Sequence, residues 1–335
     1  MKKNIMIKAD LNDKFHTTII LGTYNGESFI VEQINSILQQ HRLPDEIIFS
    51  DDCSTDGTTK ILDKYSIMFE KKNVKVKKVY RDKNVGYIAN FLEALDYSTG
   101  DIVFFCDQDD IWKENKINDT INFFKANPRC IALHSNTEII DSNGVIIKRN
   151  AQDYTKKKEL LSIEKFIKKV NYPGMALAFK RIPICKKVNQ LNFEVKTLPT
   201  HDWYICFLSC MLGGLYTTSD VYTLRRYTGE NVALNVKNKR IDNIDLRIKG
   251  IELYLEYYKL VFNIKNRLKN DKASIKLNIN NYINNSEIRL DYLKGKKISL
   301  WLGNIVNLKY YPSIKSYLGD LLLILKVKIL YKRGI

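Results

Sequence analysis

Residues 100–112, GDIVFFCDQDDIW, decide how this chain is read. An uninterrupted apolar run, Ile102 to Cys106, ends abruptly in Asp107, Gln108, Asp109 and Asp110. So short a run bounded by turn residues reads as a strand of a sheet covered on both faces. Ligands of open α/β sheets bind at the carboxyl ends of the strands, where these acidic residues fall. Carboxylates crowded at a strand end repel one another unless a cation or hydrogen-bond donors offset them, and a hard divalent ion carrying a phosphate ligand is the economical partner. Capping of the next helix is the alternative, but a cap needs only one of the three carboxylates.

The same punctuation recurs upstream. Thr17 to Leu21 (TTIIL) runs into the turn-forming Gly22-Thr23-Tyr24-Asn25-Gly26, and Glu46 to Ser50 runs into Asp51-Asp52-Cys53-Ser54-Thr55-Asp56-Gly57. Between them Phe29, Ile30, Ile34, Ile37 and Leu38 recur at helical spacing, which makes a β-α-β unit. Further helices are expected near 58–69 and 87–97 and a strand near 74–80, the alternation of a mostly parallel, Rossmann-like α/β sheet. Past Asn127-Pro128 the rhythm changes to strands at 131–137 and 144–148 joined by the turn Asp141-Ser142-Asn143-Gly144. Beyond Val232, Gly and Pro thin out, and helical periodicity appears over 241–260 and 317–331. The expected organisation is a domain over 1–232, with halves 17–125 and 126–232, and a basic helical extension over 233–335.

The 335 residues are 45% hydrophobic and 27% charged, which excludes a disordered or fibrous chain. Net charge is +17, and 21 basic against 8 acidic side chains lie in 232–335, so most of the excess sits in the last third. That asymmetry suggests a polyanionic partner, an anionic lipid surface or a nucleic acid, the alternative being a solvated lysine-rich helix face. No RNA- or DNA-binding signature accompanies it, so no nucleic acid is expected. The six cysteines form no CxxC pair, arguing against a zinc site or a disulfide framework. The polar N-terminus resembles no secretory leader, and Leu321 to Leu325 falls far short of the roughly 20 residues that cross a bilayer. A cytoplasmic protein is expected. The first turn fits neither GxGxxG nor GxxxxGK[ST], which weakens dehydrogenase and ATPase readings.

Six stretches together, TYNGESFIVEQINSILQQ (23–40), DEIIFSDDCSTDGT (45–58), RDKNVGYIANFLEAL (81–95), GDIVFFCDQDDIW (100–112), HDWY (201–204) and RRYTGENV (225–232), resemble the family 2 inverting glycosyltransferases of GT-A fold, nearest the rhamnosyltransferase-like branch. The resemblance covers about residues 17–232. It implies transfer of one sugar from a nucleotide-diphosphate sugar, dTDP-rhamnose or a UDP-hexose, to a saccharide acceptor. In bacterial surface-polysaccharide assembly that acceptor would be lipid-linked, and the enzyme would lie peripherally at the inner membrane face through its basic C-terminal part.

Residue by residue, the resemblance puts Thr23, Tyr24 and Glu27 at the nucleotide, with Asp51 or Asp52 accepting from the base. Arg81, Asn84, Gly86 and Asn90 match a donor-side segment in which Gly86 permits a turn, although a structural role for Asn84 and Gly86 is as good a reading. Asp107 and Asp109 match the DxD pair that holds Mg2+ or Mn2+ on the diphosphate, with Gln108 beside them. Asp202 matches the general base, which must reach the acceptor hydroxyl, and its alternative is an N-cap aspartate. His201 reads as a structural neighbour. Gly174, Met175 and Phe179 resemble an acceptor-side segment or plain core. Arg226 matches a donor-binding arginine. Thr228 stands where relatives carry His, and Thr is a poor metal ligand. Water, Glu230, Arg225 or Arg226 would have to compensate, or the chain is a catalytically impaired membrane-binding module on a transferase scaffold.

Overall fold

The computed structural model describes residues 15–168, 172–227, 243–267 and 278–332. Its first half is β1 (Thr17–Thr23), α1 (Ile30–Leu38), β2 (Glu46–Asp51), α2 (Thr58–Lys71), β3 (Lys75–Tyr80), α3 (Tyr87–Ala94), β4 (Ile102–Asp107), β5 (Ile111–Trp112) and α4 (Lys116–Ala126). Next come β6 (Ala132–Ile140), β7 (Ile146–Lys148), β8 (Glu159–Leu160), α5 (Ile163–Phe166), β9 (Leu177–Lys180), α6 (Arg181–Leu191), α7 (His201–Met211) and β10 (Leu215–Arg226). Four helices follow: α8 (Ile244–Arg267), α9 (Ile279–Gly295), α10 (Ile298–Gly303) and α11 (Ile314–Lys332).

One sheet runs β3-β2-β1-β4-β9-β6-β10-β5. The pairs β3–β2, β2–β1 and β1–β4 are parallel, and β9 enters antiparallel to both β4 and β6. The parallel half is the doubly wound part expected from the strand–helix rhythm, and the antiparallel intrusion of β9 marks the change seen after Pro128. The expected second hairpin is present: β6 and β7 pair antiparallel across the 141–145 turn.

Alternation along the strands sends Ile19, Leu21, Ile47, Phe49 and Phe104 to one face, under α1, α2 and α4. Ile20, Ile48, Val103 and Phe105 go to the other, against α3, α6 and α7. Tyr258, Val261 and Ile264 of α8 and Tyr282 of α9 add to this second core. The C-terminal helices also build a core of their own, around Tyr292, Leu293, Trp301, Tyr311, Tyr317 and Ile324. At its centre Asp320 is fully buried and accepts from Arg247 at 2.7 Å, Arg289 at 2.9 Å and Tyr292 at 2.6 Å. The helical reading of 241–260 and 317–331 thus holds where residues are described. No helix among them is long and apolar enough to cross a membrane.

Candidate active site

Strand register assembles the site. Parallel pairing sets Thr23 beside Asp51 and Gly22 beside Asp107, so three strand ends stop at one level. The loops beyond them are tied together by side chains. Gln108 accepts from the Tyr24 amide at 2.8 Å and donates to the Tyr24 carbonyl at 3.0 Å. A Cβ at Gly26 would lie 2.3 Å from the Gln108 Oε1, so the bare backbone of Gly26 is what lets this clasp close. Glu27 accepts from the Gly57 amide at 2.8 Å, and Tyr24 is left 47% exposed at the rim.

Several expected donor-side residues prove to be held by the fold itself. Asp51 accepts from Thr23 Oγ1, from the Ser54 amide and from the Ser54 hydroxyl, an Asx-type turn. Asp52 accepts from the amides of Val85 and Gly86 at 2.7 and 2.9 Å, pinning the segment before α3 where Gly86 has φ +86°. Asn84 accepts from the Gly86 amide. Asn90 bonds the backbone and hydroxyl of Ser50, and Arg81 donates to Asn90 and Glu93. Arg226 is 1% exposed; its guanidinium donates to the carbonyls of Asp109, Asp141 and Ser142 and pairs with Glu32. Thr228 and Glu230 lie outside the described residues.

The acidic residues after β4 are strained electrostatically. Burial and then the neighbouring Asp109 push the Asp107 carboxyl up to about 7, while Arg225 works the other way. Asp110 is buried and pushed well above the usual carboxylate range for the same reasons; its Oδ1 accepts from the Arg226 amide and its Oδ2 has no hydrogen-bond partner. No three His, Cys, Asp or Glu side chains among the described residues converge as a ready-made metal cage. Asp107 and Asp109 fit instead a hard cation taken by one or two carboxylates together with phosphate oxygens.

Across from them stands Asp202. It is the one residue of α7 that is not buried, on a helix otherwise sunk in the core. Thr200 caps that helix, donating its hydroxyl to Asp202 Oδ1, which also accepts from the Trp203 amide at 2.7 Å. The cap and the candidate base are therefore one arrangement, in which Oδ1 is fixed and Oδ2 points toward Gly174. Asp202 lies close enough to raise the Asp107 carboxyl, and burial, then Asp202 and Asp107, raise the hydroxyl of Tyr87, which is 48% exposed. The two halves thus bring their acidic groups within electrostatic reach of one another. His201 is taken up by packing: its ring stacks on Phe91 at 4.2 Å and 10°, and burial pushes it down to about 4.

Two cations were not singled out from the motifs. Lys116 opens α4, is 2% exposed, donates to the Met175 carbonyl and to Thr223 Oγ1, and lies 3.7 Å over the Trp112 ring. Burial pulls it down to about 7, opposed by Cys106, Asp110 and Asp107. A lysine in the first turn opposes the helix dipole, and that is the available sequence signal that acceptors elsewhere in the fold hold it. Arg225 shares its face of β10 with Thr223, is 7% exposed, and among the described residues no hydrogen bond or ion pair engages its guanidinium. It was weighed only as a stand-in for the missing histidine.

Residues 18–184 match the family model for glycosyl transferase family 2. The chain is 36% identical to a Bacillus subtilis protein named as a teichuronic acid biosynthesis glycosyltransferase, TuaG, over 32% of this chain and 40% of that one. It is 26% identical to the dTDP-rhamnosyl transferase RfbG of Shigella flexneri, over 83% and 94% of the two chains. Among solved structures, Staphylococcus aureus TarS 1–349 in complex with UDP-GlcNAc superposes with a TM-score of 0.56 at 18% identity, covering 95% of this chain and 92% of that one. The mannosyltransferase PcManGT of Pyrobaculum calidifontis, in complex with GDP-Man and Mn2+, gives 0.52 at 17% identity, over 95% and 81%. With its three-layer α/β architecture and the strand-end cleft, the chain belongs to glycosyltransferase family 2 and has the GT-A fold.

Proposed function

We propose that the chain transfers one sugar, with inversion, from a nucleotide-diphosphate sugar to the hydroxyl of a lipid-linked saccharide in bacterial surface-polysaccharide assembly. The observation that carries this is the solitary accessible carboxylate of α7, Asp202, set opposite Asp107 and Asp109 across one cleft. The nucleotide lies along Thr23, Tyr24, Glu27 and the Asp51–Asp52 loop, and the diphosphate comes to Asp107, Asp109 and Arg225. A divalent cation held by Asp107 and Asp109 would neutralise the charge growing on the leaving diphosphate.

Asp202 Oδ2 takes the proton of the acceptor hydroxyl as its oxygen bonds to the anomeric carbon. On the opposite face the bond from that carbon to the diphosphate oxygen breaks, and its electron pair leaves with the nucleoside diphosphate. The bare backbone of Gly174 lets the His201–Asp202 start of α7 lie against it, and the Lys116 ammonium, donating to the Met175 carbonyl, holds that segment. dTDP-rhamnose is favoured by the RfbG relative and a UDP-hexose by the UDP-GlcNAc complex of TarS; both are carried into the test.

A panel of nucleotide sugars, assayed for release of nucleoside diphosphate with and without Mn2+ or Mg2+, decides it. Asp109→Ala should abolish turnover, and Asp202→Asn should abolish transfer while leaving nucleoside-diphosphate affinity intact. Full transfer by Asp202→Asn would refute the assignment of the base. An impaired binding module would turn over no donor at all.

A further inference from the structure

Helix α11 is apolar on two sides. Tyr317, Leu323 and Ile324 face inward with the buried Asp320, whereas Ile314, Leu318, Leu322 and Leu325 are 62%, 49%, 66% and 37% exposed. Their spacing of four, four and three residues puts them on one outward stripe. The preceding segment exposes more of the same chemistry: Leu302 and Ile305 at 57% each and Val306 at 78%. A surface helix ordinarily turns polar residues to water, and contiguous exposed apolar residues mark an interaction face. The charged residues of this stretch of chain are nearly all basic. Residues 296–335 hold eight Lys or Arg and a single acid, Asp320, which is fully buried and neutralised by Arg247 and Arg289. Lys297, Lys309, Lys315 and Lys326 are all exposed.

From this geometry we infer that the outward stripe of α11, with Leu302, Ile305 and Val306, is a docking face for an anionic lipid bilayer: the leucines enter the headgroup–acyl boundary and the surrounding lysines meet lipid phosphates. An apolar stripe accompanied by exposed lysines suits that occupant, because burial of the stripe and attraction of the lysines act together on an anionic surface. A second copy of the chain would bring its own lysines against these and be repelled. The face begins at Leu302, 76 positions beyond Arg226 in the sequence, and the inference stands or falls independently of donor turnover.

The test is sedimentation of the full-length chain with phosphatidylcholine vesicles and with vesicles rich in phosphatidylglycerol. Binding is expected on the anionic vesicles alone and should weaken steeply with salt. Leu318→Asp combined with Leu322→Asp, both at exposed positions, should lower partitioning at least tenfold while release of nucleoside diphosphate in solution stays unchanged. Lys315→Gln and Lys326→Gln should each cost about fivefold. Equal binding to neutral and anionic vesicles, or undiminished binding of the double aspartate variant, would overturn the inference. So would a wild-type dimer in solution that the double variant converts to monomer without any vesicle binding, since the occupant would then be a second copy.

Discussion

Replacing His201 by Phe should make the protein more resistant to acid without changing its stability at neutral pH. The imidazole is fully enclosed, stacked on Phe91 and edge-on to Phe105 and Tyr87, with neither ring nitrogen hydrogen-bonded. Burial therefore disfavours the imidazolium, and the adjacent Asp202 only partly counters it, which leaves the group at about 4 against 6.5 for the unfolded chain. Above pH 6.5 both states hold a neutral ring and the histidine adds nothing to the pH dependence. As pH falls from 6.5 to 4 the unfolded state takes up a proton that the folded state refuses, so stability drops. The gap corresponds to about 3 kcal/mol when fully developed.

Phe keeps the ring stack and removes the titration. Urea unfolding of the two proteins side by side should give equal stabilities above pH 6.5, a difference that opens by about 1.4 kcal/mol per pH unit, and a plateau near pH 4. The pairwise comparison is needed because Asp107, pushed up to about 7, contributes with the opposite sign: its stability cost is present at high pH and disappears on acidification. A constant difference across this range would show that His201 protonates as readily in the fold as outside it, and the reasoning from burial would fail.

Gly174→Ala places a methyl 2.9 Å from His201 Nε2, so the His201 ring must shift, and Asp202, the next residue on α7 and 3.4 Å from the same methyl at its Cβ, is carried with it. Transfer should fall by about tenfold to a hundredfold with nucleotide affinity retained, as a displaced base predicts, and steady-state kinetics against both substrates checks it. Asp320→Ala leaves Arg247 and Arg289 without their carboxylate in a closed core, which should cost about 3–5 kcal/mol and appear as early melting of the helical part by circular dichroism.

The parallel half of the sheet was legible because each of its strands carries an apolar run that stops at a turn, and Thr23, Asp51 and Asp107 do arrive at one level. The antiparallel entry of β9 was not, since Leu177–Lys180 is short and depends on pairing with residues 43 or more positions away. Motif matching singled out Asp107, Asp109 and Asp202, but it could not tell a side chain aimed at a ligand from one spent on its own backbone. Asp52, Asn90 and Arg226 lie within reach of the same strand ends and are consumed by amides and carbonyls that only the folded chain brings near. The converse holds for Arg225, one residue from Arg226 but on the other side of β10, where strand alternation turns it toward Asp107.

That alternation also bears on how ligands must arrive. Asp107, Asp109, Asp110 and Asp202 lie near Lys116 and Arg225, and the acidic imbalance is great enough that burial and mutual repulsion push Asp107 up to about 7 and Asp110 well above the usual carboxylate range even before a diphosphate adds its own negative charge. A nucleoside diphosphate entering alone would deepen the imbalance, while a divalent cation entering alone relieves it. Mn2+ should therefore raise the melting temperature by itself, UDP or dTDP by itself should do little, and the two together should exceed the sum. At a hundredfold excess over its dissociation constant a ligand of the folded state stabilises it by about 2.7 kcal/mol, comfortably measurable by thermal shift. Equal stabilisation by the nucleotide with and without the cation would mean that Arg225 and Lys116 suffice for the diphosphate, and the pairing of Asp107 with Asp109 would need another explanation.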